Sequence, residues 1–142
     1  MVGYVETLTD PSYAGQILTL TYPLVGNYGV PDPSKTDKSG ISEFFESERI
    51  QARGLVVHEL SEIASHWNLS MTLDEWMNNE GIPGISEIDT RELTKKLRIS
   101  GVTMAALVVS DTEINTDQIK RELITAKPYS EEKFMDTVST KK

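Results

Sequence analysis

There is no cysteine anywhere in this chain of 142 residues. Disulfides, thiolate metal sites and a thiol nucleophile are thereby excluded. Histidine is nearly as scarce, with only His58 and His66 present. Neither sits in a His-x-x-x-His or Glu-x-x-His spacing that would suggest a metal site. No apolar run approaches the ~20 residues needed to span a bilayer. The first residues carry neither a basic cluster nor an apolar core, so they do not read as a signal peptide. Positive charge is also short, with 14 basic against 22 acidic residues and a net charge of −8. A nucleic-acid surface would need a basic footprint, so nucleic acid is excluded as the expected partner. Apart from Ser130-Glu131-Glu132 the acidic residues are scattered, and they read as a solvated surface. No membrane is expected as a partner, and a cytoplasmic location is the default.

What is present suits one folded domain. Hydrophobic residues make up 38% and charged residues 25%, an ordinary globular balance. The organising stretch is Thr9-Asp10-Pro11-Ser12-Tyr13-Ala14-Gly15-Gln16 with the apolar run behind it. Asp10 is a good N-cap, Pro11 suits a first helical position, and Gly15 can end a turn in a left-handed conformation. One helical turn is predicted at 11–14, then a strand from Gln16 to Tyr22, halted by Pro23. Residues 30–40 hold two prolines and no apolar period, which is a loop. A short helix is predicted from Ile41 to Ser47, with Phe44 and Phe45 touching the core.

Further along, Arg53 to Glu59 reads as a strand covered on both faces, because Leu55-Val56-Val57 is continuously apolar. Residues 61–70 read as irregular. Thr72 and Glu75 form a capping box for a helix to about Asn79, with Leu73, Trp76 and Met77 on one stripe. A short strand at 84–88 is followed by a second box, Asp89 with Glu92. The helix it opens turns Leu93 and Leu97 inward and ends at Gly101. Thr103 to Ser110 reads as another buried strand. A helix at 116–126 precedes Pro128, and Phe134 to Thr140 reads as a weak strand or an extended linker. The strands at 16–22, 53–59 and 103–110 are expected to share one core with the helices at 72–79 and 89–99. Alternating strands and helices make the fold class α/β.

Catalytic constellations are hard to find. His58 and His66 read better as core or surface residues than as catalytic ones. Glu43/Glu46 and Asp74/Glu75 read as helix surface and capping. Gly26-Asn27-Tyr28-Gly29 lacks the lysine and the following helix of a phosphate loop. On the residues alone, Ser12 merely follows a turn-forming Asp-Pro. It also offers a hydroxyl that donates and accepts, beside turn amides that lack helical partners.

A resemblance adds to this reading. Gly3-Tyr4, Leu8-Thr9-Asp10-Pro11-Ser12-Tyr13, Gln16-Ile17 and Thr21-Tyr22-Pro23-Leu24-Val25-Gly26-Asn27-Tyr28-Gly29 stand in one order. Gly54-Leu55-Val56-Val57, Leu73-Asp74-Glu75-Trp76, Gly81-Ile82-Pro83-Gly84-Ile85 and Asp89-Thr90-Arg91-Glu92-Leu93 follow, again in order. Together they resemble the N-terminal domain of the small, glutamine amidotransferase subunit of carbamoyl-phosphate synthase.

The resemblance implies a layered β/β/α domain of the swivelling type. It implies that the residues matching Met1 to Tyr4 lie behind several N-terminal strands, so the chain reads as a fragment that exposes an unpaired edge or an apolar patch. Residues 1–133 would be the domain, and 134–142 a linker towards a glutaminase domain absent here. The family's Cys-based triad belongs to that second domain, so this chain would hold no catalytic residue, no bound cofactor and no metal. ATP and Mg would be bound by the large subunit, which is the implied partner. The whole enzyme would hydrolyse glutamine and make carbamoyl phosphate from bicarbonate and two ATP, for pyrimidine and arginine biosynthesis. This domain would dock the large subunit and complete the glutamine pocket through Ser12, which in the family's Asp-Pro-Ser-Tyr motif helps bind substrate glutamine. The alternative is a free-standing, non-catalytic interaction module of the same fold.

Overall fold

A computed structural model describes residues 2–139. Helix α1 (Tyr4–Thr9) leads into a 3-10 turn at Pro11–Tyr13 and then into strand β1 (Ile17–Thr19) and strand β2 (Leu24–Val25). Strands β3 (Gly54–Val56) and β4 (Glu59–Leu60) follow the long loop, and helix α2 (Leu73–Asn79), strand β5 (Gly84–Ile85) and helix α3 (Thr90–Ser100) come next. Helix α4 (Thr116–Thr125), a 3-10 turn at Tyr129–Glu131 and helix α5 (Met135–Val138) end the described chain.

The strands make two small parallel sheets, one ordered β1-β3-β5 and one pairing β2 with β4. Leu18 lies opposite Leu55, and Val25 opposite Leu60, so the same two chain segments run side by side through both sheets. Pro23 falls between the two pairings, as its missing N–H requires. Among the described residues the architecture is α/β with parallel strands. No helix among them is long and apolar enough to cross a membrane.

The core joins α1, β1, β3 and α2. Tyr4, Leu8, Leu18, Leu55, Leu73 and Trp76 are all buried within it. Helix α2 forms as its sequence dictates. The Thr72 hydroxyl accepts the Glu75 N–H, and the Glu75 carboxylate takes the Thr72 N–H at 2.8 Å. The bonds that the Glu75 carboxylate accepts from the Thr72 N–H and, at 3.0 Å, from the Thr72 hydroxyl hold it below its ordinary range. Helix α1 was not foreseen, although Tyr4, Val5 and Leu8 mark its buried face.

Several expectations are corrected. Residues 41–47 are not helical; they strap the end of α1 instead. The Glu46 N–H donates to the Thr9 hydroxyl at 3.0 Å, and the Ser47 hydroxyl donates to the Thr9 carbonyl. Serine hydroxyls at 42 and 47 compete with a helical ladder by taking local bonds. Phe45 still reaches the core, with its ring 5.6 Å from Trp76 in an edge-to-face pair. The strands shrink to three residues at 17–19 and 54–56 and to two at 84–85, because a ladder extends only as far as a partner does.

Residues 103–110 form no strand, and most of them are exposed. They have no ladder partner among the described residues, and without one an apolar run is not a strand. Leu107 leans on the sheet, over Gly54, where an added Cβ would meet it at 2.9 Å. The second capping box is half formed. Asp89 accepts the Glu92 N–H at 2.9 Å, while the Glu92 carboxylate turns to the Lys95 ammonium. Of α3 only Thr90 is buried; Leu93 and Leu97 are half-buried, and Ile99 is 85% exposed. The tail is helical at Met135–Val138 rather than extended, and Thr140 lies outside the described residues. Ile99, Val102, Val108 and Val109 are open to solvent.

Tyr4 ties α1 to the Gly26–Gly29 turn. Its hydroxyl donates to the Gly29 carbonyl at 2.6 Å, and burial pushes its pKa up to about 12 from 10.0. The unfolded chain therefore releases this proton first as pH rises, so stability is full below pH 10 and falls as pH climbs towards about 12. Urea unfolding across that range is expected to follow this decline, and Tyr4→Phe is expected to flatten it. A decline unchanged in Tyr4→Phe would assign it to other groups.

Candidate functional site

The Ser12 turn is built locally. The Asp10 carboxylate accepts the Ser12 N–H at 2.8 Å, the Asp10 carbonyl accepts the Tyr13 N–H, and the Pro11 carbonyl accepts the Ala14 N–H. This corrects one expectation. The amides of Ser12, Tyr13 and Ala14 are all engaged within the turn, so they are not open to a ligand. Ser12 itself is exposed, and its hydroxyl bonds to nothing among the described residues. What the turn offers a ligand is that one hydroxyl, at a defined place. Gly15 ends the turn at φ 77°, as expected of a left-handed glycine.

Sequence reasoning missed what lies behind the turn. Gln16 Nε2 donates to the Ser12 carbonyl at 3.0 Å and to the Tyr129 hydroxyl at 3.1 Å. The Tyr129 hydroxyl in turn donates to the Ala14 carbonyl at 3.2 Å. Its ring stacks on Phe134 with centroids 4.8 Å apart. The Phe134 ring lies against Gly15, where any Cβ would collide with it. More than a hundred residues separate the two sides, so no local signal joins them. The one hint is an aromatic pair, Tyr129 and Phe134, in an otherwise polar tail.

The remaining candidates are not brought together. His58 is exposed, with Nδ1 3.1 Å from the Ile88 carbonyl. His66 is also exposed, packs edge-on to Tyr28 and takes the Asn68 N–H at Nδ1. Neither bonds a hydroxyl or a carboxylate among the described residues, so neither sits in a triad. No cluster of three metal-ligating side chains occurs among the described residues. Glu43 and Glu46 lie on the irregular strap, and Asp74 and Glu75 in the first turn of α2. An apolar groove of about 630 Å³ runs along β3 and β5, between Met77 on one side and Leu107 and Val109 on the other. A smaller cavity of about 160 Å³ lies beside Tyr4, Tyr28 and Trp67. The Ser12 turn lines neither of them.

Residues 1–107 match the family model described as carbamoyl-phosphate synthase small chain, CPSase domain. The chain is 49% identical over 141 residues to the carbamoyl phosphate synthase small chain of Saccharolobus solfataricus, covering 99% of this chain and 36% of that one. It is 48% identical over 118 residues to the arginine-specific small chain of Aspergillus oryzae, covering 83% of this chain and 26% of that one. It is also 48% identical over 128 residues to the multifunctional protein CAD of Squalus acanthias, covering 87% of this chain and 6% of that one. The chain thus spans about a third of the length of the archaeal small chain it matches.

Proposed function

Since this chain belongs to the carbamoyl-phosphate synthase small-chain family, we propose that it acts in carbamoyl phosphate synthesis, as the small-chain domain that docks the large chain and completes the glutamine pocket. The observation that carries this reading is the collinear match along 99% of the chain. Residues 1–133 are the docking domain, in the layered β/β/α swivelling arrangement. Residues 134–142 lead towards a glutaminase domain, which supplies the nucleophilic Cys that this chain lacks. The large chain holds ATP and Mg and makes carbamoyl phosphate from bicarbonate and ammonia. The arginine-specific name of one relative supports arginine biosynthesis as a destination of the product, with pyrimidines as the other. The enzyme works in the cytoplasm.

Ser12 is this chain's contribution to substrate binding. Its hydroxyl is exposed and uncommitted, while the amides of the turn that carries it are engaged in three local bonds. A serine hydroxyl donates to a carboxylate and accepts from an ammonium, the two charged groups of an amino acid.

A chimaera tests the assignment. Residues 2–139 replace the matching segment of the Saccharolobus solfataricus small chain, which is then combined with its large chain. The expected result is a stable complex that makes carbamoyl phosphate from glutamine. A chimaera that hydrolyses glutamine but never binds the large chain would contradict the docking role and favour a free-standing interaction module.

A further inference from the structure

We infer that Gln16 and Tyr129 are positioning residues for the Ser12 hydroxyl, so that the segment at 129–134 sets the affinity for glutamine. This deepens the proposed role of Ser12 and rests on it. The turn at Pro11–Tyr13 is three residues long and exposed, held by its own bonds alone on one side. A binding hydroxyl must be held to within about half an ångström to be effective, and a turn of this length does not do that unaided.

The second side is where the latch acts. Both N–H groups of the Gln16 amide are used, one on the Ser12 carbonyl and one on the Tyr129 hydroxyl. The bond to the Ser12 carbonyl fixes the peptide plane next to the residue whose hydroxyl is presented. Tyr129 closes a ring by donating to the Ala14 carbonyl two residues on. Phe134 holds the Tyr129 ring by stacking and rests on Gly15, where no side chain would fit. Gln16 is itself anchored, since its carbonyl accepts the Arg53 N–H at 2.8 Å just ahead of β3. The turn is therefore clamped between the sheet and the segment at 129–134. Movement of that segment would reorient Ser12 directly, without passing through the core.

The test uses the complete enzyme and two nitrogen donors. Gln16→Ala removes both amide bonds, and Tyr129→Phe removes the hydroxyl while keeping the stacked ring. Each is expected to raise the glutamine KM about three- to ten-fold, the range of one or two lost neutral hydrogen bonds. The double variant is expected to resemble the stronger single one, because the two residues act as a unit. Synthesis driven by added ammonia is expected to stay unchanged. Ser12→Ala, measured in parallel, separates the two ideas. If it raises the glutamine KM while both latch variants leave it alone, the latch is wrong and the role of Ser12 stands. If Ser12→Ala has no effect, the role of Ser12 fails and the latch fails with it. A parallel fall with both donors in the latch variants would make the latch a purely structural contact and overturn the inference.

Discussion

Purified and offered glutamine, this chain is expected to release no ammonia above the uncatalysed rate. The proposed glutaminase chemistry uses a cysteine nucleophile, and the sequence contains none. A serine could stand in only with a histidine beside it, yet His58 contacts a backbone carbonyl and His66 a backbone N–H and an aromatic ring. Both are exposed, where water competes for their protons. Enzymes accelerate such reactions by about a million-fold or more, so the expected effect is the whole of that factor. A coupled ammonia assay with pure protein measures it directly. Turnover that disappears in His58→Ala or His66→Ala would contradict the assignment of all catalysis to another part of the enzyme.

Elements whose instructions are local were legible in the sequence. Thr72 and Glu75 specify the start of α2 completely, because both bonds of the box lie within one turn. Asp10, Pro11 and Gly15 specify the Ser12 turn in the same way. Residues 103–110 show the limit of such reading. Their apolar content matches a buried strand, but a strand is a relation between two segments, and these residues have no ladder partner among those described. Helix α3 was read correctly in its span and its Gly101 stop, where the glycine N–H donates to the Leu97 carbonyl at 2.8 Å. Its burial was overestimated, since a half-buried Leu93 and Leu97 leave most of the helix in water. The strap at 41–47 went the other way. Its serines and Thr9 make a side-chain network that a propensity reading scores as helix.

The candidate site divides along the same line. The turn that carries Ser12 was legible because its bonds are local, while a binding role for Ser12 rests on the family resemblance. The open amides expected around it were not there, since the turn satisfies itself. Gln16, Tyr129 and Phe134 were illegible because their meaning depends on contacts spanning more than a hundred residues. A glutamine at the edge of a strand and a tyrosine in a polar tail carry no mark that they meet.

The most direct test of the central claim is Ser12→Ala in the complete enzyme, assayed with glutamine and with ammonia. If the hydroxyl holds a charged group of glutamine, one such hydrogen bond is worth about 1.5–3 kcal/mol, and the glutamine KM should rise roughly ten-fold or more. Ammonia bypasses the glutamine pocket, so synthesis from it should be nearly unchanged. Loss of a binding contact moves one activity, whereas damage to the fold moves both. A large rise in glutamine KM with ammonia-driven synthesis intact is the predicted result. Equal losses with both donors, or normal kinetics with glutamine, would contradict it and return Ser12 to the role of a turn residue.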